Sequence, residues 1–160
     1  MTVGMSPARP TCLSPPPSST DVAFQYPFRV RFSEVDQAGV VYFSRIYEYC
    51  HAAFEELLRA AGMPLEGMLH TVGWGMPLVH TEADYHRPLR LGEELRVEVE
   101  VIQHSARRVL FGFKIVDTQG KVRARARHEH ACVGMDDFKP RDVPSVFLDG
   151  LARAGLIDQG

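Results

Sequence analysis

The chain has 160 residues, 45% hydrophobic and 24% charged, with a formal net charge of −2 at neutral pH. That length suits one domain with a full apolar core. The near-balanced charge excludes a global basic field that would draw the molecule to nucleic acid or an anionic membrane.

No apolar run approaches the roughly 20 residues of a membrane-spanning helix. Residues 1–23 are rich in Pro and Ser, lack the apolar block of a secretory signal, and are expected to form a disordered tail. Cys12, Cys50 and Cys132 are odd in number, far apart and without a CxxC pair. A disulfide framework or structural zinc site is therefore not expected, and a reducing, cytoplasmic setting is.

The domain is expected over 24–160, with order beginning near Tyr26. Phe28 to Phe32 alternates apolar and polar, which predicts a strand. A turn-like segment, Ser33 to Gly39, follows. The period then changes: Phe43, Ile46, Tyr47, Cys50, Ala53, Phe54, Leu57, Leu58 and Ala61 recur at three- and four-residue steps. That stripe predicts a helix beginning at Phe43, about 18 residues and about 27 Å long. Gly62 and Pro64 stop it. Pro77 to His86 reads as a strand. Leu95 to Val101, Val109 to Ile115 and Val122 to Cys132 alternate as three more, joined by short links into an antiparallel meander. Pro144 to Leu156 has the spacing of a short helix. The predicted fold class is α+β, with about five strands wrapped on one long helix and sheet edges left for a second subunit.

Asp36 is the first candidate for chemistry. It lies one short loop before the expected helix N-terminus, where unpaired N–H groups and a partial positive charge can hold a developing oxyanion. A carboxylate there can attack a carbonyl or activate water. The competing reading is a turn or capping aspartate. His128 and His130 share one strand face, but no third metal ligand stands at a convincing spacing, so partly buried or surface histidines are expected. Cys50 and His51 diverge on a helix and cannot form a nucleophile pair. Arg107, Arg108, Lys139 and Arg141, with Arg123, Arg125 and Arg127 on one strand face, could hold phosphates. Solvated charges pairing with Glu98 and Glu100 are the alternative. Gly-rich phosphate loops and serine elbows are absent.

The run Asp36-Gln37-Ala38-Gly39-Val40-Val41-Tyr42-Phe43 resembles the D-x-x-G-V-V-Y-F signature of the 4-hydroxybenzoyl-CoA thioesterase family. Pro77 to His80, Asp84 to Pro88 and Gly92-Glu93 resemble that family's second strand and the turn after it. The match runs from about Tyr26 to Arg141. Many family members carry Glu where this chain has His51. The run Cys50 to Leu57 is instead similar to the C-H-x-A-[FY]-E-E-x-L stretch of the 1,4-dihydroxy-2-naphthoyl-CoA thioesterases. Arg45 departs from the Asn often found there.

The resemblance implies a hotdog fold, a homodimer or homotetramer with active sites at subunit interfaces, and hydrolysis of an aromatic acyl-CoA without metal or other cofactor. It assigns Asp36 as nucleophile or base and the Phe43 N–H as donor to the thioester oxygen. Gly39, Val41, Tyr42 and His51 become substrate contacts. Arg107, Arg108, Lys139 and Arg141 become contacts to CoA. Other readings stay open: a short- or medium-chain acyl-CoA thioesterase, a hotdog dehydratase or hydratase using His51 or His80, and a non-catalytic acyl-CoA binding protein.

Overall fold

The computed structural model describes residues 24–68 and 71–158; the expected tail lies outside them. Its elements are β1 (Phe24–Arg29), a 3-10 turn (Phe32–Glu34), α1 (Arg45–Ala60), α2 (Leu65–Met68), β2 (Trp74–Gly75) and β3 (Leu78–Tyr85). They continue with β4 (Glu94–His104), β5 (Arg108–Asp117), β6 (Val122–Ala131), β7 (Val133–Gly134) and α3 (Ser145–Arg153). Five strands form one sheet in the order β1-β4-β5-β6-β3, every neighbouring pair antiparallel.

The alternation read from the sequence is what packs. Leu95, Val97 and Val99 of β4 and Val109, Phe111, Phe113 and Ile115 of β5 point to one face, where α1 lays Ile46, Cys50, Ala53, Phe54, Leu57 and Leu58. Across β5 and β6 large meets small: Phe113 stands opposite Ala126 and Ile115 opposite Ala124. The alternation of large and small side chains levels the face against which the helix packs. Burying a side chain such as Leu57 contributes about 2 kcal/mol. The α1 stop is a Schellman pair: Met63 N–H donates to Leu58 C=O at 2.8 Å and Gly62 N–H to Arg59 C=O at 3.1 Å. Gly62 takes φ +78°, which a Cβ would strain.

Three expectations need correction. The strand near the start runs over Phe24–Arg29 rather than Phe28 to Phe32. The chain turns where Glu34 N–H bonds Arg31 C=O at 3.1 Å, leaving the Phe32 ring exposed. The helix starts at Arg45 and has 16 residues, because Arg45 N–H closes back on Tyr42 C=O. Phe43 thus precedes the helix and is 58% exposed, while Tyr49, outside the predicted stripe, is buried. Among the arginines, Arg127 pairs with Glu82, and Arg123 with Glu93 and Asp117. Glu98 and Glu100 pair instead with Arg96 and Lys114.

The β2–β7 ribbon was not foreseen. It brings Trp74 edge-on to Phe147 of α3, closing the far end of the core. The wrapped sheet on one long helix is the hotdog arrangement. Among the described residues, no helix is long and apolar enough to cross a membrane.

Candidate active site

Asp36 opens a hairpin loop that the backbone closes twice. Its N–H donates to Val40 C=O at 2.9 Å, and its C=O accepts from Gly39 N–H at 3.0 Å. Gly39 supplies the left-handed residue this turn needs, at φ +71°. The Asp36 Oδ1 accepts from Ala38 N–H at 2.8 Å and from Val40 N–H at 3.3 Å. One carboxylate oxygen thus fills the capping role of a turn aspartate. The other, Oδ2, accepts no hydrogen bond among the described residues, and the side chain is exposed.

The loop is held at both flanks. Val41 N–H bonds Leu89 C=O at 2.9 Å and Tyr42 N–H bonds Glu34 C=O at 3.0 Å, with Val41 itself buried. Glu34 Oε2 accepts from Arg31 N–H and from the Tyr49 hydroxyl, each at 2.7 Å. The second bond ties the loop to α1. Burial, followed by the bond to Glu34, pushes the Tyr49 phenol far up, so it stays a donor.

Phe43 sits at the mouth of α1. Its N–H has no acceptor among the described residues, and its C=O accepts from the Tyr85 hydroxyl at 2.8 Å. The α1 cap Ser44 makes no side-chain bond to the first turn. The unbonded Phe43 N–H therefore lies beside the positive end of the helix dipole. The structure brings Asp36, Gly39, Val41, Tyr42 and Phe43 into one hairpin and its exit. His51 stands eight residues further on, about 12 Å along the axis, on the exposed side of α1.

The neighbouring Cys50 points the other way and is fully buried, with its thiol pushed up to about 12 by desolvation. This divergence is what helical geometry requires of adjacent residues. His80 shares a strand face with Glu82 across from Glu129 and Arg127, its Nε2 3.9 Å from the Glu82 carboxylate. That is the face opposite Thr81 and His128, away from α1. His128 and His130 correct the expectation of partly buried or surface residues: they are 2% and 3% exposed, because their strand face lies under α1.

The candidate CoA contacts are exposed but already paired. Arg107 meets Asp142 at 3.3 Å, Arg108 meets Glu129 at 3.0 Å, and Arg141 and Lys139 meet Asp137 at 3.2 and 4.0 Å. Arg107 and Arg141 flank one residue: Cys132 N–H donates to Arg107 C=O and Cys132 C=O accepts from Arg141 N–H, both at 2.9 Å. Exposed pairs of this kind contribute little and exchange readily. Sequence reasoning missed Glu34, Tyr49 and Tyr85. The first had a local signal, an acid three residues after the start of a turn; the other two act across 15 and 42 positions.

Comparison with known proteins places these features in a family. The Thioesterase-like superfamily model matches residues 30–151. A 1,4-dihydroxy-2-naphthoyl-CoA hydrolase of Synechocystis is 30% identical over 76% of this chain and 88% of its own length. One from Gloeothece citriformis is 31% identical over 78% and 88%. The crystal structure of a 1,4-dihydroxy-2-naphthoyl-CoA thioesterase from Synechocystis superposes with a TM-score of 0.76 at 28% identity, covering 86% of this chain and 98% of that one. With that match spanning the Asp36 hairpin, α1 and four of the five strands of the main sheet, β3 to β6, the chain belongs to the Thioesterase-like superfamily.

Proposed function

We propose that the protein hydrolyses an aromatic acyl-CoA thioester, of the 1,4-dihydroxy-2-naphthoyl-CoA kind that its relatives are named for, to free acid and CoA. One observation carries this reading: among the described residues, a carboxylate oxygen of Asp36 has no partner, and neither has the Phe43 N–H at the exit of the same hairpin, just before α1. The thioester oxygen accepts from Phe43 N–H. Asp36 Oδ2 then attacks the carbonyl carbon, the C–S bond breaks, and CoA leaves as thiolate; water hydrolyses the mixed anhydride. In the alternative order Asp36 takes a proton from water, which attacks directly. A single oxyanion donor supplies roughly a hundred- to a thousandfold in rate.

Arg107 and Arg141 exchange their aspartate partners for CoA phosphates, a trade favoured by the higher charge of phosphate. The site is completed by a second copy. Strand β3 is an unpaired sheet edge, with Leu78, Val79 and Tyr85 each about half exposed. Such an edge invites strand-to-strand pairing, giving a homodimer or a tetramer built from it. A soluble acyl-CoA substrate suits a cytoplasmic setting.

Thiol release measured against a panel of aromatic and aliphatic acyl-CoAs tests the reading. Turnover is expected to be highest on hydroxylated aromatic esters. A protein that binds these esters yet frees no thiol is not a hydrolase.

A further inference from the structure

The inner face of β6 presents Ala124, Ala126, His128 and His130 to α1, a position where apolar side chains would be expected. Both imidazoles are buried, and in both the Nε2 atom has no hydrogen-bond partner among the described residues. Leaving such atoms orphaned costs about 1–3 kcal/mol each, and a folded core rarely tolerates two side by side. For His130 the ring's tautomer is settled. Its Nδ1 lies 2.8 Å from Met76 C=O and must donate to it, so Nε2 carries a lone pair and can only accept. Desolvation keeps both rings neutral, His128 being held down to about 4.

Their surroundings are flat and aromatic. Phe54 stacks on His130 at 4.8 Å, Phe113 lies 4.6 Å from His128, and Tyr47 stacks at 6.1 Å on its other side. The face runs out to the sheet edge at β3. Thr81 and Tyr85 of β3, in register with His128 and Ala124, share it and are exposed. The exposed His51 lies close enough to raise the cost of charging either ring. The same Tyr85 bonds Phe43 C=O, linking this edge to the helix start. Tyr47, stacked on His128, lies in the first turn of α1, two residues after its start at Arg45.

We propose that His128 and His130 read hydroxyl substituents on the acyl group, His130 Nε2 accepting a hydrogen bond from a phenolic O–H and His128 Nε2 serving as the second partner. They would thereby set preference for hydroxylated over unsubstituted aromatic thioesters. This rests on the acyl-CoA hydrolase reading above and goes beyond it by assigning the side chains that select the substrate.

The test compares kcat/KM for 1-hydroxy-2-naphthoyl-CoA and 2-naphthoyl-CoA in wild type, His130→Leu and His130→Gln. A site built to bond a hydroxyl discriminates strongly against the analogue lacking it. In His130→Leu the hydroxylated-to-unsubstituted ratio is expected to fall at least about tenfold, with partial recovery in His130→Gln, which keeps an acceptor. Both substrates falling in step, or an unmoved ratio, overturns the proposal. If His130→Leu does not fold, His130→Phe, which keeps a flat ring against Phe54 but has no acceptor, carries the same comparison. If wild type frees thiol from neither ester, the hydrolase reading fails on its own. The ratio of dissociation constants for the two esters then decides: an equal ratio in wild type and variant overturns the histidine assignment, and a tenfold loss upholds it.

Discussion

Asp36→Asn separates the turn-capping role of one carboxylate from the catalytic role proposed for it. The bonds from Ala38 N–H and Val40 N–H both end on Oδ1, and the carbonyl oxygen of Asn can accept them in the same geometry. What disappears is the negative charge and the nucleophilic or basic Oδ2. Bonds to a charged acceptor are about twice as strong as neutral ones, so for two bonds at an exposed site the stability loss is about 1 kcal/mol. Catalysis should lose far more. Removing an essential base or nucleophile costs at least about a hundredfold, or about 2.7 kcal/mol of barrier. Urea unfolding and thiol release, run on the same preparation, give both quantities. Turnover within about threefold of wild type would make Asp36 a turn residue only. A stability loss above about 3 kcal/mol would tie any drop in activity to a collapsed loop and refute the separation.

Other outcomes follow from the same geometry. His128 is held down to about 4 against 6.5 for an unfolded chain, so the unfolded state takes up the proton first. Stability is therefore full above about pH 6.5 and falls as the pH drops towards 4, by about 3 kcal/mol in total. Urea titrations of wild type and His128→Phe across that window should differ in slope, and parallel curves would remove the imidazole as cause. Gly39→Ala meets no atom within 4 Å, so only the φ of +71° penalises it. Calorimetry should show a loss of about 1 kcal/mol, smaller in Gly39→Asn. Phe54→Ala removes a 4% exposed ring packed on Phe111 and His130 and should cost about 3–5 kcal/mol by chemical denaturation.

Periodicity made most of the fold readable. A single helical stripe and three alternating runs leave few arrangements once the links are short, and the strands from Leu95 onward stand where alternation put them. Boundaries failed where a backbone bond outweighs side-chain pattern. Phe43 fits the apolar stripe, yet Arg45 N–H closes on Tyr42 C=O and leaves Phe43 outside the helix. Asp36 stood out by its place before the helix and by its motif, but a turn aspartate and a catalytic one look alike in one dimension; what the structure adds is that the loop consumes only Oδ1. His128 and His130 were misjudged because polarity suggests a surface, whereas strand register with Thr81 and Phe111 decides the face. Tyr85 gave no signal, since its partner is a main-chain carbonyl 42 positions away.

The burial of Cys50 and Cys132 bears on how the protein survives its own chemistry. Under the proposed hydrolysis each turnover of a CoA ester liberates a free thiol, and its oxidised forms exchange with any accessible protein thiolate. Desolvation pushes the Cys50 thiol up to about 12, and burial with the nearby Asp142 carboxylate raises Cys132 as well. Neither presents a thiolate at neutral pH. These two positions thus resist acquiring a mixed disulfide with the released coenzyme for as long as the core around α1 and β6 remains shut.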